Sequence, residues 1–341
     1  MNILVTGGAG FIGSHVCVEL LMLGYKVIVI DNLSNSYINS LHGVKKIVNI
    51  DLNFDLKKHT NFTFVKVDIR VIDHIEKIFS SQTIDAVIHL AGLKSVSESV
   101  ENPEKYYLNN VNGSINLFNA MKKFNCKKIV FSSSATVYGN AIESPINESA
   151  QIMPTNPYGK NKSDIEKELK NLFDLDKTWR IAILRFFNPI GAHKSGFIGE
   201  NPSGTPNNLM PYILKVASGD LEILSIFGND YDTHDGTGVR DYIHVMDLVS
   251  GHIMALKALK KKPQIMTVNL GTGIGYSVFD VVRSFEKVSK QKVSFKVLSR
   301  RDGDVATSYS DPAFAKQTLN WKAKYNLEEM CYDSWNYNLK K

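Results

Sequence analysis

A glycine-rich turn near the start constrains this chain more than any other feature. Residues 3–6 read as a strand, Gly7-Gly8-Ala9-Gly10-Phe11-Ile12-Gly13 follows, and a helical pattern over 12–23 begins inside the turn. A glycine triplet alone is a weak signal. Between a strand and a helix, in the first βαβ unit, it becomes specific for a dinucleotide-binding turn. Gly7 permits the tight turn, Gly10 lets a pyrophosphate approach the backbone, and Gly13 lets helix and strand pack closely. The N–H groups that open the helix then face the phosphates. Asp31 ends the second strand pattern, where a carboxylate accepts from both ribose hydroxyls and repels a 2′-phosphate. The expected cofactor is therefore NAD rather than NADP. Asp68, after the third strand pattern in VKVDIR, is an expected contact to the adenine edge.

The rest of the first half repeats this alternation. Strand patterns at 3–6, 26–30, 63–67, 86–90 and 128–132 are separated by helical patterns that include 12–23, 73–81 and 106–124. A further strand pattern, 180–187, follows a helix that starts near Tyr158. This order predicts an α/β fold with a Rossmann-type, doubly wound parallel sheet. After about residue 188 the chain becomes rich in Pro and Gly, as in NPIGAHKSGFIGENPSGTP, and long irregular connections of this kind often bind ligands. Short patterns at 221–227, 266–270 and 293–298 predict a smaller α/β substrate-binding lobe. Residues 242–244 and the helical 245–259 are expected to return to the large domain. The predicted division is 1–188, with a returning segment at about 239–262, and a mainly substrate-binding 189–341. Residues 34–60 show no clear period.

Bulk properties exclude several classes. The chain has 341 residues, 43% hydrophobic and 22% charged, which suits a globular protein. No apolar run approaches the ~20 residues of a membrane span. The N-terminus carries neither a basic region nor a cleavage site, so a cytoplasmic location is expected. Cys17, Cys126 and Cys331 form no CxxC pair, which fits a reducing compartment and offers no metal site. The net charge of +6 is modest, and the tight basic run Lys260-Lys261-Lys262 reads as a solvated helix end. Neither nucleic acid nor membrane is an expected partner.

Chemistry is carried by NPYGKNKSD. Pro157 suits a first helical position, and the spacing of four puts Tyr158 and Lys162 on one helical face. An ammonium beside a phenol favours the phenolate, so the tyrosine pKa is expected to fall towards the working range of a base. The spacing alone is cheap, because Tyr337 and Lys341 share it. Only Tyr158 follows FSSSATVYG, which offers Ser134, and only Tyr158 shares a domain with the glycine turn.

TGGAGFIG, Asp31, Ser134 and YGKNK resemble the extended short-chain dehydrogenase/reductase family. Within it, AGLKSVSESV, NNVNGS, SSSATVYG, RFFNPIGAH, PNNLMPYI, IFGNDYDTHDGTGVRDYIHVMDL, NLGTG and RRDGD resemble the UDP-hexose 4-epimerases nearly end to end. That resemblance implies that Tyr158 takes the proton from the sugar 4-hydroxyl while hydride passes from C4 to NAD. The 4-keto sugar then turns over and hydride returns to its opposite face. Ser134 would hydrogen-bond the same oxygen. By the same match Phe11, Ile12, Asn32, Ile69, Leu90 and Ala91 line the cofactor, as do Asn109, Ser132 and Lys94, which also reaches the substrate. Phe187 and Asn188 belong where nicotinamide and sugar meet. Asn208 and Leu209 would meet the diphosphate or sugar, and Phe227 would flank the uracil. Arg240 and Arg301 would clamp the diphosphate with planar forks of donors, and Asp304 would bind the ribose.

Related dehydratases carry an Asp-Glu pair before the VYG motif, where this chain has Ala135 and Thr136. Elimination then lacks its acid and base, and epimerisation remains. Glucose- and galactose-restricted relatives narrow the pocket with a tyrosine after RRxGD; here that position falls on Ser308. The resemblance therefore implies that UDP-N-acetylhexosamines are accepted as well as UDP-glucose and UDP-galactose. It also implies a homodimer, with 106–124 a plausible contributor. Three alternatives stay open at this point: another sugar-nucleotide enzyme of the family, a net oxidoreductase that releases its cofactor, and a non-catalytic NAD-binding regulator.

Overall fold

The computed structural model describes residues 1–49, 61–140, 143–202, 206–301 and 304–341. Residues 50–60 of the aperiodic stretch 34–60, and Asp302 and Gly303 of the RRDGD motif, lie outside the described residues. In chain order the first half comprises β1 (Asn2–Thr6), α1 (Phe11–Met22), β2 (Lys26–Asp31), α2 (Ile38–Ile47), β3 (Phe62–Lys66), α3 (Ile72–Ser81) and β4 (Ala86–His89). Then come α4 (Val96–Glu101), α5 (Pro103–Tyr106), α6 (Gly113–Lys123), β5 (Lys128–Ser132), α7 (Pro157–Leu175) and β6 (Arg180–Phe186). The second half contains β7 (Asn188–Ile190), α8 (Leu209–Ala217), β8 (Leu224–Phe227), β9 (Val239–His244), α9 (Val245–Ala258), β10 (Gln264–Leu270) and β11 (Gly275–Ser277). It ends with α10 (Val278–Ser289), β12 (Phe295–Leu298), β13 (Thr307–Ser308), α11 (Ala313–Leu319) and α12 (Leu327–Lys340).

Two compact units result. The first comprises Met1–Gly139, Ile152–Arg185 and Val249–Val268. Its sheet runs β10-β6-β5-β4-β1-β2-β3, and β1 to β6 pair in parallel. Strands such as KVIVID and KIVFS are apolar at successive positions because helices cover both faces of a parallel sheet. Strand order reverses between β1 and β4. In this architecture ligands bind outside the carboxyl ends of the strands at such a reversal, and the glycine turn leaves β1 there. One buried cluster, from Leu4 through Phe118 and Phe131 to Ile183, fills this unit.

The second unit comprises Asn140–Gln151, Phe186–Leu248 and Asn269–Lys341. Its centre is β9, which pairs in parallel with β7 and β13 and antiparallel with β11. A separate parallel pair, β8 and β12, stands beside α8. Ile213, Phe285 and Met330 anchor a core of its own.

Three expectations change. Residues 242–244 do not return to the large domain: they end β9 in the second unit, and α9 carries the chain from there into the first. Residues 266–268 lie in the first unit rather than the small lobe, because β10 closes the β6 edge of the seven-stranded sheet. A short apolar strand shows its period in the sequence but not its neighbour. The helical pattern 106–124 is interrupted: Tyr107–Asn112 is wound as a π-helix between α5 and α6. Such widened turns often mark functional sites, and a 3.6-residue period does not register the extra residue.

Candidate active site

The glycine turn is built for close approach. Gly7 adopts φ +70, where a side chain would be strained, and a Cβ there would lie 2.7 Å from the backbone N of Ala91 after β4. A Cβ on Gly13 would overlap the carbonyl of Gly7 and the Cα of Gly8, so helix and strand touch through a missing side chain. No side chain caps the start of α1, which leaves its first N–H groups for an anion. Asp31 is buried at the end of β2. Its Oδ1 accepts from Leu33 N at 2.8 Å and Ser36 Oγ at 2.9 Å, whereas among the described residues Oδ2 accepts only from Ala9 N, at 3.1 Å. A carboxylate oxygen with spare acceptor capacity thus faces the turn. The turn, the uncapped helix and Asp31 suit NAD.

Neighbouring groups are tied in place. Asn32 donates from Nδ2 to Asp68 Oδ2, and Arg70 holds the same carboxylate at 2.6 Å, which pulls the Asp68 pKa down to about 2. Ile69 is buried beside Gly113. Behind the strand reversal, Thr6 Oγ1 accepts from the N–H groups of Leu90 and Ala91 and lies 2.7 Å from Nδ1 of His89. The Ser114 hydroxyl donates to Asn110 O, so its contact with His89 Nε2 at 2.8 Å requires the imidazole to donate there. Nδ1 then accepts from Thr6, and one tautomer is fixed. Burial, with the charge of Lys162, pushes the His89 pKa down to about 3 and keeps the ring neutral. Asn110 also clamps the loop after β4: Oδ1 accepts from Leu93 N and from Asn109 Nδ2, and Nδ2 donates to Leu93 O. Lys94 is exposed on that loop.

Asn156 caps α7 by accepting from Gly159 N at 2.9 Å, and Pro157 takes the first position. This places Tyr158 and Lys162 on the buried face, each under 8% exposed, as is Ser134. The Ser134 hydroxyl acts on the phenol to favour its ionised form, and its Oγ accepts from the hydroxyl of Thr136 at 2.9 Å. Lys162 Nζ donates to Ser132 O at 2.7 Å and lies 5.9 Å from the centre of the Tyr158 ring. The Ser132 hydroxyl meets Nε2 of buried His252 at 2.6 Å. Burial raises the Tyr158 pKa to about 12 against the influence of Ser134, and it lowers Lys162 to about 8 against the pull of Glu166. The expected fall of the tyrosine pKa is absent from the protein alone. Desolvation of the phenol outweighs the opposing influence of Ser134.

Sequence reasoning missed what supports this pair. Glu166, one turn beyond Lys162, accepts from Ser133 Oγ at 2.5 Å and from Arg185 Nη2 at 2.6 Å, and Arg185 also donates to the Tyr138 hydroxyl. Both charged side chains are 3% exposed. The i+4 spacing of Tyr158, Lys162 and Glu166 was the available signal.

In the second unit, Asp304 takes both Nε and Nη2 of Arg301 (3.1 and 3.0 Å) and approaches Arg240 Nη2 at 3.7 Å. Arg240 is braced by Nη1 donation to the carbonyls of Val239 and Val305. The Arg301 guanidinium stands 5.7 Å from the ring centre of Phe227, which is itself 41% exposed. Four predicted substrate residues thus form one cluster. Ser308 pairs in register with Arg240. Phe187 is buried, Asn188 is exposed, and Leu209 opens α8. Asn208 precedes that helix with its amide donating to Glu200 at 3.0 Å. Among the described residues no helix is long and apolar enough to cross a membrane.

Comparison with known proteins covers nearly the whole chain. Residues 4–334 match the family model described as GDP-mannose 4,6 dehydratase. The UDP-glucose 4-epimerase of Bacillus subtilis (strain 168) is 54% identical over 337 residues, 99% of this chain and 96% of its own. Among solved structures, the UDP-glucose 4-epimerase of Stenotrophomonas maltophila, with bound NAD and formylated UDP-arabinopyranose, is 45% identical with a TM-score of 0.94. It covers 100% of this chain and 98% of its own. That of Bifidobacterium longum, in complex with NAD+ and UDP, is 44% identical with the same TM-score and the same coverage. By sequence and by fold, this chain belongs with the UDP-glucose 4-epimerases of the extended short-chain dehydrogenase/reductase family.

Proposed function

We propose that this chain interconverts UDP-glucose and UDP-galactose by 4-epimerisation with a resident NAD. One observation carries the reading: Tyr158, Ser134 and Lys162 are all buried, with Lys162 Nζ 5.9 Å from the Tyr158 ring centre and the Ser134 hydroxyl acting on the phenol, while Ala135 and Thr136 stand where a dehydratase would hold acidic groups. When bound, NAD supplies the group that takes hydride from C4 and gives it back. The residues do the remainder. Tyr158 accepts and returns the O4 proton, and Ser134 holds that oxygen in line. Lys162, fixed on Ser132 O, supplies positive charge where a phenolate must form. Burial of all three keeps bulk water from the keto sugar. Gly7, Gly10, Gly13 and Asp31 hold the dinucleotide, with Asn32 and Asp68 at its adenine end.

Arg240, Arg301, Asp304 and Phe227 are assigned to the UDP moiety. An arginine pair suits a diphosphate, and an exposed aromatic ring suits a base. With Ser308 as a small wall, UDP-N-acetylhexosamines are assigned as further substrates. A homodimer is supported by exposed apolar side chains on adjoining helical turns, Val96, Val100, Tyr107 and Leu108. Three buried free cysteines suit a reducing cytoplasm. The test is to incubate purified protein with single UDP-sugars, without added nicotinamide, and identify the products. Formation of the C4 epimer alone is the expected result; no product, or accumulation of an oxidised or dehydrated sugar, overturns the reading.

A further inference from the structure

Tyr231 carries a buried hydroxyl with no hydrogen-bond partner among the described residues. The side chain is 7% exposed and rigidly seated. Its ring lies against Gly228, where a Cβ would come within 2.5 Å of Cε2, and the Arg300 guanidinium stacks on it at 4.3 Å. Arg300 Nε donates to Asp230 Oδ1 at 2.8 Å, and Tyr231 N donates to Gly236 O at 2.9 Å. A core-filling role needs only the ring, which phenylalanine would supply. A buried donor left unpaired is costly, and proteins seldom keep one without a use.

The surroundings point to that use. The ring packs on Gly228, which follows Phe227, and under Arg300, which precedes Arg301, so it borders the cluster of Phe227 and Arg301. Burial with Asp304 keeps the phenol an O–H donor at neutral pH. Asp304 and Arg240 belong to the cluster assigned to the UDP moiety, where both guanidinium groups already have protein acceptors. What that cluster lacks is a neutral donor with nothing else to bind. We propose that Tyr231 donates a hydrogen bond to an oxygen of the nucleoside diphosphate held by Arg240, Arg301 and Asp304. The inference rests on the epimerase reading of that cluster.

The test is Tyr231→Phe, which removes one oxygen and keeps the ring. UDP titrated into wild type and variant by calorimetry should show Kd about tenfold weaker in the variant, the size of one hydrogen bond to a charged acceptor. KM for UDP-glucose should rise in step. The ligand-free variant should melt at the same temperature or higher, because the unpaired group is gone. Unchanged UDP affinity overturns the proposal, and so does a lower melting temperature in the ligand-free variant, which would make the hydroxyl structural. If wild type binds UDP but produces no epimer, the epimerase reading fails while the Kd comparison still decides the role of Tyr231.

Discussion

Lys162 donates from Nζ to the backbone carbonyl of Ser132 at 2.7 Å, which ties the ammonium beside Tyr158 to the end of β5. That bond fixes where the charge sits, and burial sets how firmly the proton is held. Keeping the ammonium protonated at a site that lowers its pKa from 10.5 to about 8 costs roughly 3 kcal/mol at neutral pH. The bond to Ser132 returns about 1 kcal/mol of that. Lys162→Met should therefore lose activity by about 10²-fold or more, yet be more stable than wild type at pH 7 by about 2 kcal/mol. The sign follows from the wild-type group: its cost is full below pH 8 and is relieved as pH rises from 8 to 10.5. Melting curves of the two proteins should converge over that window. A variant less stable than wild type at pH 7 would refute the argument.

Glu166 makes a different demand. Its carboxylate neutralises Arg185 inside the protein, with both side chains 3% exposed. Glu166→Gln keeps the shape but leaves the guanidinium buried without its counter-charge, which should cost about 3–5 kcal/mol. Adding Arg185→Met should recover most of the loss, because the two sites share one interaction. Glu166 also raises the Lys162 pKa, so the single variant should lose Lys162 charge at lower pH than wild type. The alkaline limb of kcat should move to more acidic pH. Urea denaturation and a pH–rate profile check the two halves independently.

The cofactor site offers a contrast between two glycines. A Cβ at Gly13 would overlap the backbone of Gly7, whereas Gly24, at φ +78, has nothing within 4 Å of its Cβ direction. Gly13→Ala should therefore force the turn open and yield protein with little NAD after purification. Gly24→Ala should cost about 1 kcal/mol of backbone strain and retain its cofactor. Bound nucleotide, released by denaturation and quantified by absorbance, gives the comparison directly. Equal NAD content in the two variants would contradict the close-approach account.

Much of this was legible because the turn and the parallel strands are local features. Gly7 to Gly13, Asp31 and Pro157 each act through their own backbone, and a sequence records backbone requirements well. Pairing partners are not local. Nothing in QIMTVNL says that β10 closes the β6 edge, and nothing in VRDYIH says that β9 gathers β7, β11 and β13. Buried polar chemistry is hidden for the same reason. Glu166 looks like any helical glutamate until Arg185, 19 residues on and in a strand, meets it. The balance of burial against charge at Tyr158 is a property of packing, so an i+4 lysine gave the wrong sign for the protein alone.

Substrate range turns on one residue in a strand of two. Ser308 pairs in register with Arg240 across β13 and β9, so the two side chains leave the same face of the sheet. Tyr309 leaves the opposite face, packs over Gly275, and its hydroxyl reaches Ser144 O at 3.4 Å. Its bulk is spent away from the face that Arg240 shares with Ser308. A small side chain therefore stands beside the diphosphate cluster, and UDP-N-acetylglucosamine should be turned over by wild type. Ser308→Tyr would put a ring into space that an acetamido group needs. Overpacking of that kind costs about 1–3 kcal/mol, or roughly 10- to 100-fold in kcat/KM, and should fall on the N-acetyl sugar far more than on UDP-glucose. The ratio of the two kcat/KM values, measured before and after the substitution, is the deciding quantity. No turnover of UDP-N-acetylglucosamine by wild type, or a ratio that Ser308→Tyr leaves unmoved, would remove Ser308 from the sugar pocket.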